Sequence, residues 1–95
     1  MTIAEWRRVL GVNLDGVFFG TKYAILTMKS RGGGSIINVA SVSGINAYPE
    51  ASAYGASKAA VRHFSKVIAI ECADARTGIR VNVVSPGGVK TPIWE

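Results

Sequence analysis

Tyr54 and Lys58 stand four residues apart in the run Tyr54-Gly55-Ala56-Ser57-Lys58, a spacing that puts both side chains on one helix face, one turn apart. A phenol titrates near pH ~10 in water, and a neighbouring ammonium favours its ionised form, so such a pair can move a proton at a substrate oxygen near neutrality. The same pair also arises by chance on an ordinary helix surface. Position sharpens the chemical reading. Ser41 lies thirteen residues ahead of Tyr54 at the end of a β-branched stretch, so a strand end and a helix start can bring a hydroxyl donor and a phenol to one oxygen.

The elements that must hold these groups can be read outward from them. Thr2-Ile3-Ala4-Glu5 has the capping-box pattern and predicts a helix from about residue 3 to residue 29, closed by Arg31-Gly32-Gly33-Gly34 and interrupted at Gly11, Asn13 and Gly16. Ser35 to Ala40 reads as a strand covered on both faces. Ser52 to Ala75 reads as a long helix with Ala53, Ala56, Ala60, Phe64, Val67, Ile68 and Cys72 on or near one side, ended by Thr77-Gly78. Ile79 to Ser85 is a second buried strand, stopped by Pro86-Gly87-Gly88. Helix, strand, helix, strand predicts an α/β fold, a partial Rossmann-like slice of a doubly wound parallel sheet. Ligands of such sheets bind beyond the carboxyl ends of the strands, which here means Ser41 with its loop and Pro86 to Thr91.

Four runs occur in an order and spacing that resemble the short-chain dehydrogenases/reductases: Asn13-Leu14-Asp15-Gly16, Gly34-Ser35-Ile36-Ile37-Asn38-Val39-Ala40-Ser41, Tyr54 to Lys58, and Asn82-Val83-Val84-Ser85-Pro86-Gly87. The resemblance covers essentially the whole chain. It implies an NAD(P)-dependent oxidoreductase that moves hydride between nicotinamide and a secondary alcohol or ketone. By that resemblance Tyr54 is the general acid/base, Ser41 hydrogen-bonds the substrate oxygen, and Lys58 assists Tyr54 and binds the nicotinamide ribose. Asn13 matches the asparagine whose backbone carbonyl holds a water in the family's proton relay; on spacing alone it is a polar kink beside two glycines. Pro86, Gly87, Val89 and Thr91 fall where the family contacts the nicotinamide end of NAD or NADP, a plain strand-ending turn being the bland alternative. Ser43 and Ser57 are further hydroxyls in these segments and are not expected to be the catalytic serine.

The resemblance also says what to expect beyond these residues. Residues 1–95 would form a partial catalytic domain without the amino-terminal dinucleotide-binding half and the carboxyl-terminal substrate segment. Gly32-Gly33-Gly34 ends a helix and precedes a strand, the opposite of a phosphate cradle, and reads as a loop. The alternative to an enzyme is an inactive truncated fragment whose helices serve at most for association. A homo-oligomeric parent is expected, because the corresponding family helices commonly build a subunit interface.

Composition narrows the partners. With 48% hydrophobic and 18% charged residues the chain suits a packed domain and not a disordered segment. Its net charge of +5 is scattered, without the basic stripe and interleaved aromatics of a nucleic-acid surface. No apolar run approaches membrane-spanning length and no signal-peptide order opens the chain, so a cytoplasmic protein without membrane or nucleic-acid partners is expected. The single Cys72 excludes an internal disulfide, and His63 has no partner at ligand spacing, so no metal site is expected.

Overall fold

In the computed structural model the structure describes residues 1–41 and 52–86. Helix α1, Ile3–Leu10, starts on the predicted capping box: the Glu5 amide donates to the Thr2 hydroxyl and the Thr2 amide to the Glu5 carboxylate, both at 3.1 Å. It runs without a break into a wide π-turn, Gly11–Asp15, and then into helix α2, Gly16–Lys29. The predicted interruption is therefore an expansion of the helix. The Gly16 amide reaches back five residues to the Gly11 carbonyl, a wider turn in which the helix stays continuous. By length and composition alone the whole run Ile3–Lys29 could cross a membrane, a correction to the reading from apolar runs. Its internal side chains point to another task, because Asn13 and Thr21 hydrogen-bond to the layer beneath.

Strands β1, Gly34–Val39, and β2, Ile79–Val84, pair in parallel in the register Gly34 with Ile79 through Val39 with Val84. Helix α3, Ser52–Asp74, stands between them in sequence and packs on both. The result is the expected partial Rossmann-like α/β arrangement. Ile36, Ile79, Val81 and Cys72 form the core, with Ala24, Ile25, Met28, Ile68 and Ala69 packed around it. Only one sheet face is covered by the described residues. Ile37 remains 63% exposed and Val39 and Val84 are also exposed, so the expectation of strands covered on both faces is not met.

The glycines explain how close the two strand starts come. Gly32, Gly33 and Gly78 all have positive φ, and the Gly34 amide donates to the Gly78 carbonyl at 3.3 Å. A Cβ on Gly33 would lie 2.5 Å from the Gly78 oxygen, and one on Gly78 would lie 2.7 Å from the Gly32 oxygen. The glycine cluster is thus a backbone crossing, in keeping with its reading as a loop. Helix α3 ends differently, with Arg76 left-handed at φ 53° and the Thr77 hydroxyl bridging the Cys72 carbonyl to the Ile79 amide.

Candidate active site

The carboxyl ends of both strands are tied together by the Ala40 amide, which donates to the Val84 carbonyl at 2.8 Å. Ser41 is the next residue, half-buried and held by an interaction of its own. Pro86 lies two residues beyond Val84 and is exposed. The amino end of α3 comes to the same edge through Lys58, whose Nζ donates to the Val39 carbonyl at 3.3 Å. That ammonium also sits 5.6 Å from the centroid of the Tyr54 ring, and Tyr54 is 39% exposed. Tyr54 and Lys58 therefore share one helix face, as their spacing predicts, and Lys58 joins that face to the last residue of β1. Gly87, Val89 and Thr91, and Ser43 with them, lie outside the described residues.

Asn13 reaches the site from the other helix. Its Nδ2 donates to the Ser57 hydroxyl at 3.3 Å, while that hydroxyl donates to the Tyr54 carbonyl at 2.7 Å. Ser57 is 0% exposed. A hydroxyl has one proton, and the Tyr54 carbonyl takes it, so Asn13 must present its NH₂ and not its oxygen to Ser57. Two turns along α3 the pattern recurs: Asn38 Nδ2 donates to the Ser65 hydroxyl at 2.9 Å and to the Thr21 hydroxyl at 3.4 Å, and Ser65 donates to the Val61 carbonyl at 2.8 Å.

The buried seam of α3 is Ala53, Ser57, Val61, Ser65 and Cys72. This corrects the apolar side expected from the sequence, since Ala56 and Val67 are exposed. Serine counts as polar in a hydropathy pattern, yet both hydroxyls are satisfied by carbonyls three or four residues back and fit where a larger apolar side chain would hold the elements apart. A signal for them existed in the spacing 53, 57, 61, 65, which keeps one helix face if small residues are scored with the apolar ones.

Other chemistry-bearing groups stay apart from this edge. His63 is exposed, Cys72 is a buried free thiol in the core, and no three metal-ligating side chains meet among the described residues. An apolar groove between α2 and α3, lined by Phe18, Ile25, Leu26, Phe64 and Ile68, touches none of Ser41, Tyr54 and Lys58. For a dinucleotide, the donors at the strand edge suit a nicotinamide ribose: an ammonium has three N–H groups, Val39 takes one, and the Tyr54 hydroxyl lies on the same helix face.

Comparison with known proteins gives the chain its family. A family model described as short chain dehydrogenase matches residues 1–95, and the chain belongs to that family. It is 53% identical over 95 residues to an NADP-dependent (R)-specific alcohol dehydrogenase of Lentilactobacillus kefiri, covering 99% of this chain and 38% of that protein. It is 45% identical to a 3-alpha-(or 20-beta)-hydroxysteroid dehydrogenase of Mycobacterium bovis, covering 98% of this chain and 35% of the relative. Among solved structures, the acetoin dehydrogenase from Enterobacter cloacae superposes with a TM-score of 0.90 at 38% identity, over 98% of this chain and 38% of that one. The chain thus spans little more than a third of the length of these relatives.

Proposed function

We propose that the chain supplies the catalytic segment of an NAD(P)-dependent oxidoreductase that interconverts a secondary alcohol and a ketone. The observation that carries this reading is the Tyr54–Lys58 face tethered to the end of β1 through the Val39 carbonyl. A bound nicotinamide supplies or accepts the hydride. The Tyr54 hydroxyl gives its proton to the carbonyl oxygen during reduction and takes it back from the alcohol during oxidation. Ser41 donates a hydrogen bond to that same oxygen while charge develops on it. Lys58 holds positive charge beside the phenol, which stabilises the negative charge left when the proton has gone, and its remaining N–H groups bind the ribose hydroxyls. Asn13 keeps its π-turn against α3, and Pro86 with Gly87, Val89 and Thr91 borders the nicotinamide.

The alcohol and hydroxysteroid dehydrogenases among the relatives support a small-molecule alcohol or ketone as substrate. The NADP dependence of one of them supports a nicotinamide cofactor. The glycine cluster follows a helix and leads into a strand, so it is not read as the site of the cofactor phosphates. The complete enzyme is read as a cytoplasmic homo-oligomer. Phe18, Phe19, Tyr23 and Leu26 expose an apolar face on α2 that suits such an interface. The test is to express the 95 residues with the coding sequence that flanks them and follow NAD(P)H absorbance with a panel of ketones and alcohols. Turnover lowered about 10²–10⁴-fold by Tyr54→Phe is the expected result; undiminished turnover in that variant overturns the mechanism.

A further inference from the structure

We propose that Ser57 is a positioning residue that locks the π-turn carrying Asn13 to the turn of α3 carrying Tyr54 and Lys58. The inference rests on the reading of Tyr54 as the proton donor but goes beyond it. Ser57 is 0% exposed, and its hydroxyl works in both directions: it accepts from Asn13 Nδ2 at 3.3 Å and donates to the Tyr54 carbonyl at 2.7 Å. Asn13 and Ser57 are 44 apart in sequence. A π-turn has a wider, less regular hydrogen-bond ladder than the α-helix on either side, so its backbone is the part of that helix most in need of an outside anchor. Asn13 is the central residue of that turn, Gly11–Asp15. The anchor is fastened to the backbone of Tyr54 itself, so a shift of the π-turn moves the carbonyl end of the Tyr54 residue with it.

Ser65 is the internal control. Its hydroxyl plays the same two parts, accepting from Asn38 and donating to the Val61 carbonyl, and it is 1% exposed, but it joins α3 to β1 and not to the π-turn. A purely structural role for both serines predicts that their alanine variants behave alike. A positioning role for Ser57 predicts that they differ.

Two measurements decide this. Hydrogen exchange on the full chain should show Ser57→Ala speeding amide exchange in residues 11–16 and in the first two turns of α3 together, with Ser65→Ala leaving the π-turn unchanged. In the complete enzyme, Ser57→Ala should lower kcat roughly tenfold with KM altered less than about twofold and a larger solvent deuterium isotope effect, because misplacement penalises the chemical step more than binding. Ser65→Ala should leave kcat within about twofold even where it lowers the melting temperature as much. The double variant Asn13→Ala/Ser57→Ala should lose no more than the worse single variant. Equal exchange patterns in the two serine variants, or additive losses in the double, overturn the inference. Absence of hydride transfer in the unsubstituted enzyme would instead overturn the functional reading, and the exchange result would still decide the coupling.

Discussion

The two halves of α3 use one device for two purposes. In each, an asparagine amide from another element donates to a buried serine, and the serine hydroxyl donates to a carbonyl of its own helix. Around Ser65 the surroundings are closed: Thr21 and Val61 are buried, and the network joins α2, β1 and α3 at the middle of the layer. Around Ser57 the same bonds sit one turn from half-exposed Tyr54 and beside Lys58, at the strand edge. The difference teaches that a buried hydroxyl at helical spacing is an anchor whose consequence is set by what lies one turn away. Near the core it holds layers together; near the edge it also sets where reactive groups stand.

The comparison can be broken most forcefully at Tyr54. Removing its hydroxyl with Tyr54→Phe should cost about 10²–10⁴-fold in kcat, the usual worth of a general acid/base, and leave unfolding by urea unchanged. A large loss of stability in that variant would mean that the edge half of α3 is as structural as the buried half. The converse experiment is Asn38→Ala. It takes the amide from the Ser65 and Thr21 hydroxyls and should cost about 1–3 kcal/mol in denaturant unfolding, the range for stranding buried polar groups, with little change in kcat. Stability unaffected by Asn38→Ala would remove the buried half of the comparison. The smallest effect is expected at the far end of the helix. Arg76 is left-handed without being glycine, so Arg76→Gly should stabilise the chain by about 0.5–1 kcal/mol, read as a rise in melting temperature, because relief of the strained backbone exceeds the added freedom of the unfolded chain.

Much of this arrangement is legible in the amino-acid sequence. The capping box at Thr2, the β-branched strands and the proline and glycine stops put element boundaries within a residue or two of those observed, because each signal is local and has a local cause. The pairing of Tyr54 with Lys58 followed from helical geometry in the same way. What escaped was non-local. Glycines at 11 and 16 around Asn13 look like a helix break, and only packing against α3 shows that the chain widens its turn and continues. Ser57 and Ser65 look like exposed positions until their acceptors are found. The outer sheet face bearing Ile37 and Val39 reads as covered because β-branched runs usually are, and sequence pattern does not say which segment does the covering.

The crossing of Gly33 over Gly78 gives the sheet one end built of backbone alone. There backbone rests on backbone, with no side chain between that could repack or yield. At the other end the Ala40 amide joins the strands through the Val84 carbonyl, and the flexible stem of Lys58 ties α3 to β1. The edge that carries Ser41 and Tyr54 is therefore held in part by a side chain that can adjust, while the glycine crossing at the far end has none.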